Sequence, residues 1–167
     1  FVKTLETFCV LKVSCVLLFR ENDIMREIIL KTANEMFLTL GFKSVTMDDI
    51  AAELGISKKT IYQHFANKTE LVEASTMNLF ENISCGIDTI REQGLNSVEE
   101  IFQIRNFMMK NLHNEDASPF YQLQKFFPEI FAQLRLAQFG KMHGCMIENL
   151  QKGVDDGRYR EDINIDF

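Results

Sequence analysis

Between Leu54 and Thr69 the chain reads LGISKKTIYQHFANKT, with Lys58, Lys59, His64 and Lys68 and no acidic residue, although the whole chain carries a formal charge of -6. A cationic stretch in an acidic protein marks a local site for a polyanion. Thr60, Tyr62 and Gln63 are interleaved with the lysines, and their hydroxyl, phenol and amide suit phosphate oxygens and base edges. The chemistry on offer is recognition rather than catalysis. No Gly-rich phosphate loop, nucleophile elbow, HExxH or patterned carboxylate pair occurs, so no catalytic residue and no cofactor is expected. The four cysteines, Cys9, Cys15, Cys85 and Cys145, have no CxxC spacing, which fits a reducing cytoplasm. His143 and Cys145 stand two apart, a spacing that does not make a metal site by itself, and none is expected.

Those side chains need a scaffold that shows them on one face. Thr46 with Asp49 three residues on makes a capping box, so a helix starts at Met47. Ile50, Ala51 and Leu54 share one side of it, and Gly55 supplies the positive φ that ends it. Ser57 then caps a second helix, in which Ile61 and Phe65 point inward while Lys59, Thr60, Tyr62 and Gln63 project outward. Two helices about the turn Gly55-Ile56-Ser57 form a helix-turn-helix unit, whose second helix fits the major groove of DNA. The same periodicity suits an ordinary αα-hairpin, so the alternative is a helical protein-interaction module without specific DNA binding. Salt dependence separates the two, because only phosphate contacts give a steep slope.

At these residues the chain resembles the TetR family of bacterial transcriptional regulators. The resemblance rests on Gly41-Phe42, on Val45-Thr46-Met47-Asp48-Asp49-Ile50-Ala51, on Leu54-Gly55-Ile56-Ser57, on Thr60-Ile61-Tyr62-Gln63-His64-Phe65 and on Asn67-Lys68-Thr69-Glu70-Leu71. It implies a three-helix DNA-binding head, a homodimer on double-stranded operator DNA, and a divergent helical body with an effector pocket. A ligand-responsive repressor is the implied function. By position, Thr46, Lys58, Lys59, Thr60, Tyr62, Gln63, His64 and Lys68 match the family's DNA-contacting places, and Met47 and Ser57 complete the expected set.

The remaining chain reads as all-α, because 46% apolar content supports a core while two prolines and no alternating β-branched run leave nothing sheet-like. A support helix is expected from Ile24 to Leu40, capped by Asp23, with Ile29, Ala33, Met36, Phe37 and Leu40 as its apolar stripe. Phe42 and Val45 fill the gap before Thr46. Asn67 and Glu70 open a rod running to about Gln93, about 26 residues and about 39 Å long. Ser97 with Glu100 reads as another capping box, Ser118-Pro119 as a helix start and Pro128 as a restart.

This second half is rich in Phe and Met, which suits either packed core or an adaptable pocket for a small apolar or aromatic effector. The candidate lining is Phe102, Phe107, Met108, Tyr121, Phe127, Phe131 and Met142. Arg105, His113, Gln124 and His143 are polar groups near them without a recognisable code. The domain reading is a poorly ordered or upstream-derived arm at 1–22, a helix-turn-helix domain at 23–67 and a regulatory and dimerisation domain at 68–167. The arm is apolar but broken by Lys12, too short to cross a bilayer, so no membrane association is expected. Gly157 to Asn164 resembles the turn that precedes the family's last two helices, so the body is expected to be truncated at its C-terminus.

Overall fold

The computed structural model describes residues 21–111 and 118–165, and within them the chain is helical with no strand. Helices α1 (Glu21–Leu40), α2 (Met47–Leu54) and α3 (Lys58–His64) form the head. Helices α4 (Lys68–Arg91), α5 (Ser97–Asn111), α6 (Ser118–Phe126) and α7 (Pro128–Asp155) form the body. Helix α1 packs on α2, α3, α4 and α6, while α4, α5 and α7 pack on one another and α6 lies on α7.

One apolar cluster runs through the head into the body. Ile29, Ala33 and Phe37 of α1 are fully buried, as are Ile50, Ile61 and Leu71 from the three following helices. Phe42 stacks on Phe37 at 5.1 Å and meets Phe127 edge-on at 6.5 Å, so an aromatic chain joins head to body. Ile130 and Leu134 of α7 belong to the same cluster. The head therefore shares its core with the body rather than hanging from a linker.

Local signals set most helix ends where the sequence places them. Asn67 caps α4 by accepting from Glu70 N, and Pro128 sits at the start of α7. Asp23 does not cap α1, which begins at Glu21, and Leu40 leaves the stripe at 60% exposure because the chain turns away at Gly41. The Ser97–Glu100 box does not form. Asn96 takes the cap, its Oδ1 accepting from Val98 N at 3.2 Å and Glu99 N at 3.0 Å. Glu100 turns inward instead and accepts from Asn149 Nδ2 at 2.9 Å and Lys152 Nζ at 2.7 Å on α7. Burial of a carboxylate demands such partners, and that demand outweighs a local cap.

The rod α4 has 24 residues and is roughly 36 Å long at 1.5 Å per residue, ending at Arg91 rather than Gln93. The arm assigned to residues 1–22 lies almost wholly outside the described residues, as does His113. Beyond α7 the chain turns at Gly157 and folds back, so that the Tyr159 ring covers Gly153 and its hydroxyl donates to Asn149 Oδ1 at 3.1 Å.

Candidate nucleic-acid interface and body cavity

The turn between α2 and α3 is fixed by hydrogen bonds that leave little freedom. Thr46 Oγ1 accepts from Asp49 N at 3.2 Å, while the Asp49 carboxylate accepts from Thr46 N at 2.8 Å. The Thr46 hydroxyl and backbone N–H hold that carboxyl below the ordinary carboxylate range. Gly55 adopts φ 64°, where a side chain would be strained, and the Ile56 N–H returns to the Ala51 carbonyl at 3.0 Å. Ser57 Oγ accepts from Thr60 N at 3.1 Å to start α3.

With α3 held this way, Ile61 and Phe65 are buried and Tyr62 stands 44% exposed on the opposite side. Lys58, Lys59 and Gln63 are exposed beside it, whereas Thr60 and His64 are half-buried. Lys58 Nζ donates to Asp48 Oδ2 at 2.8 Å, which raises its pKa, and lies over the Tyr62 ring at 6.0 Å. The outer face of α3 is thus a phenol, an amide and two ammonium groups on one short helix. A surface of this make-up can donate to phosphate oxygens and reach base edges.

Four expected site residues have other work. Met47 is 5% exposed and packs in the core. Thr46 and Ser57 are exposed, yet their side chains are engaged as caps. Lys68, at the start of α4, donates to the Lys43 carbonyl at 3.2 Å, and partial burial lowers its pKa. It ties the loop before α2 to the rod. That loop brings in Lys43, which the sequence reading left out: it is exposed and its Nζ stands 5.1 Å above the Phe126 ring. A cation just ahead of the Thr46 cap was the signal available for it.

Behind the head a cavity of about 410 Å³ opens among α1, α4, α5, α6 and α7. That size falls in the usual range for small-molecule sites. Of the expected lining, Met108 and Met142 take part. The other five do not. Phe102 and Tyr121 are each 59% exposed. Phe107 packs on Gly86, where a Cβ would meet its ring, and Phe127 and Phe131 pack on the head's core. Arg105, Gln124 and His143 are exposed. The wall comes chiefly from α4, with Leu79, Phe80, Ile83 and Ile87, and from α7, with Leu134 and Phe139, and the wall's polar members Asn34, Thr76, Ser84, Gln138, Arg135 and Lys141 were all missed. Their alignment depends on how α4 faces α7, which no local pattern encodes.

Among the described residues no group of three His, Cys, Asp or Glu side chains is placed to hold a metal ion, and no helix is long and apolar enough to cross a membrane.

Comparison with known proteins agrees with this geometry. Residues 29–75 match the family model for bacterial regulatory proteins of the tetR family. Over 151 residues the chain is 26% identical to the HTH-type transcriptional repressor KstR2 of Mycolicibacterium smegmatis, covering 85% of this chain and 71% of that protein. A 66-residue stretch is 37% identical to the HTH-type transcriptional activator FasR of the same organism, covering 40% of this chain and 30% of that one. The fold is shared with a transcriptional regulator from Cytophaga hutchinsonii, with a TM-score of 0.69 at 20% identity over 83% of this chain and 71% of that one. The capped helix-turn-helix thus lies within residues 29–75, the stretch that matches the tetR family of bacterial regulatory proteins, and over most of its length the chain is similar to a transcriptional repressor of the helix-turn-helix type.

Proposed function

We propose that the protein is a ligand-responsive repressor that binds operator DNA as a homodimer in the cytoplasm and has no enzymatic role. The observation that carries the proposal is the outer face of α3, where Lys58, Lys59, Tyr62 and Gln63 stand exposed on a helix locked by two caps. Residues 23–67 form the DNA-binding unit and residues 68–167 the regulatory and dimerising one. Tyr62 and Gln63 read base edges, while Lys58, Lys59, Lys68 and Lys43 meet phosphates. Repression is favoured by the relative that spans most of the chain, itself a repressor. The cavity beside α4 supports an effector site for a small, mostly apolar molecule.

Selection of bound duplexes from a random DNA pool tests the reading. Two half-sites whose centres lie about 34 Å apart, or a multiple of it, are expected from a two-fold dimer. Affinity for the selected site should fall steeply as salt rises. A chain that enriches no sequence, or whose DNA binding is indifferent to salt, would be a protein-interaction module instead.

A further inference from the structure

The polar part of the cavity wall is one-sided. Arg135 and Lys141 are cations, and no aspartate or glutamate joins them, in a chain with 24 acidic and 18 basic residues. Thr76 and Ser84 stand in the same wall, and their hydroxyls are buried with no hydrogen-bond partner. Helical hydroxyls ordinarily return to a carbonyl one turn back. On this same helix Ser75 does so to Leu71 at 2.6 Å and Thr89 to Cys85 at 3.0 Å. Thr76 and Ser84 depart from that habit only where α4 faces the cavity. A buried hydroxyl without a partner is costly, and a ligand oxygen would relieve that cost.

Hydroxyls and cations donate, so the polar end of the ligand must accept, and a wall whose charged members are both cations favours an anionic end. The level of the anion follows from Asp88. Both Asp88 oxygens accept from Lys141 Nζ at 2.6 Å, and Asp88 lies one helical turn beyond Ser84 on α4. Lys141 and Ser84 line the same cavity, and the ammonium is held at the turn of α4 that follows Ser84. Arg91 also donates to Asp88, at 3.3 Å, so Lys141 can share its protons with a ligand without stranding the aspartate.

We propose that the cavity takes an apolar monocarboxylate, with its carboxylate between Lys141 and Ser84 and its hydrocarbon body against Leu79, Phe80, Ile83 and Met108. The proposal rests on the effector-site reading above and narrows it to one chemical class.

Calorimetric titration of the full chain with decanoate, methyl decanoate and decylammonium tests it. Decanoate should bind roughly tenfold more tightly than its ester, and the ammonium compound should bind least. Lys141→Gln should erase the difference between acid and ester. Ser84→Ala, which deletes an unpartnered hydroxyl and so spares the fold, should weaken decanoate by roughly fivefold or more. Equal affinity for acid and ester, or indifference of decanoate to both substitutions, overturns the carboxylate assignment and leaves an apolar pocket standing. If none of the three compounds binds, the effector-site reading falls with it.

Discussion

Lys59 and Lys68 are the same residue type nine positions apart, and the structure gives them different work. Lys59 is exposed and has no ion pair among the described residues, whereas Lys68 holds the Lys43 carbonyl at 3.2 Å and is half-buried. Lys59→Ala is expected to lower the salt slope of DNA binding by about 0.9 with no change in Tm. Lys68→Ala should lower the slope similarly and also reduce Tm, because the loop ahead of α2 loses its tie to α4. Equal Tm for both variants would show that this tie contributes nothing. Tyr62, 44% exposed on the face of α3, is the residue proposed to read base edges. Tyr62→Ala should weaken the selected site by roughly 1–3 kcal/mol, leave binding to random DNA nearly unchanged and preserve helix content by circular dichroism.

At the scale of elements, the joint between α5 and α7 is the clearest case of a side chain diverted from local to distant duty. Glu100 is 4% exposed, and burial pushes its pKa up, but hydrogen bonds from Lys152 and Asn149 outweigh that and hold it below the ordinary 4.5. A folded-state pKa lowered in this way gives stability that is fully present above about pH 4.5 and is lost as pH falls through the lowered value. Glu100→Ala strands the Asn149 amide and the partly buried Lys152, and should cost about 1–3 kcal/mol in urea unfolding near pH 7, with most of that difference gone in acid. A cost that persists undiminished at pH 3 would assign it to packing rather than to charge.

The same joint shows why some elements were legible and others were not. Thr46 with Asp49, Gly55, Ser57 and Asn67 each act within four residues, so their chemistry stands in the sequence itself. Ser97 and Glu100 carry the same local signature, yet Glu100 faces partners about fifty positions away, and Asn96 caps in its place. Phe102 and Met108 look alike in the sequence, one turn and a half apart on α5. Only the packing of α5 on α4 and α7 decides that Met108 meets the cavity and Phe102 faces outward.

Across the whole molecule the cavity touches the two elements that hold the reading unit. Helix α4 supplies much of its wall and starts beside α3 at Lys68. Helix α6 supplies Pro119, Phe120 and Leu123, and between them Gln122 Oε1 accepts from the Lys43 N–H at 3.1 Å, in the loop that leads to Thr46. A molecule that spreads these walls shifts both supports at once. In a dimer whose two reading helices must fit half-sites about 34 Å apart, a small tilt of each head removes both sets of contacts. Ligand and DNA affinities must then be linked reciprocally, so the factor by which ligand weakens DNA binding equals the factor by which DNA weakens ligand binding. Met108→Trp fills the cavity from α5, an element that packs chiefly on α4 and α7. Its unliganded affinity for the selected site is expected to stay within about twofold of the parent, while added decanoate should no longer change it. Titrating DNA into parent and variant, with and without decanoate, checks both halves of the expectation. A Met108→Trp protein that still responds would move the controlling site out of this cavity, and one that loses DNA binding altogether would show that the cavity's shape, empty or filled, already sets the position of the heads.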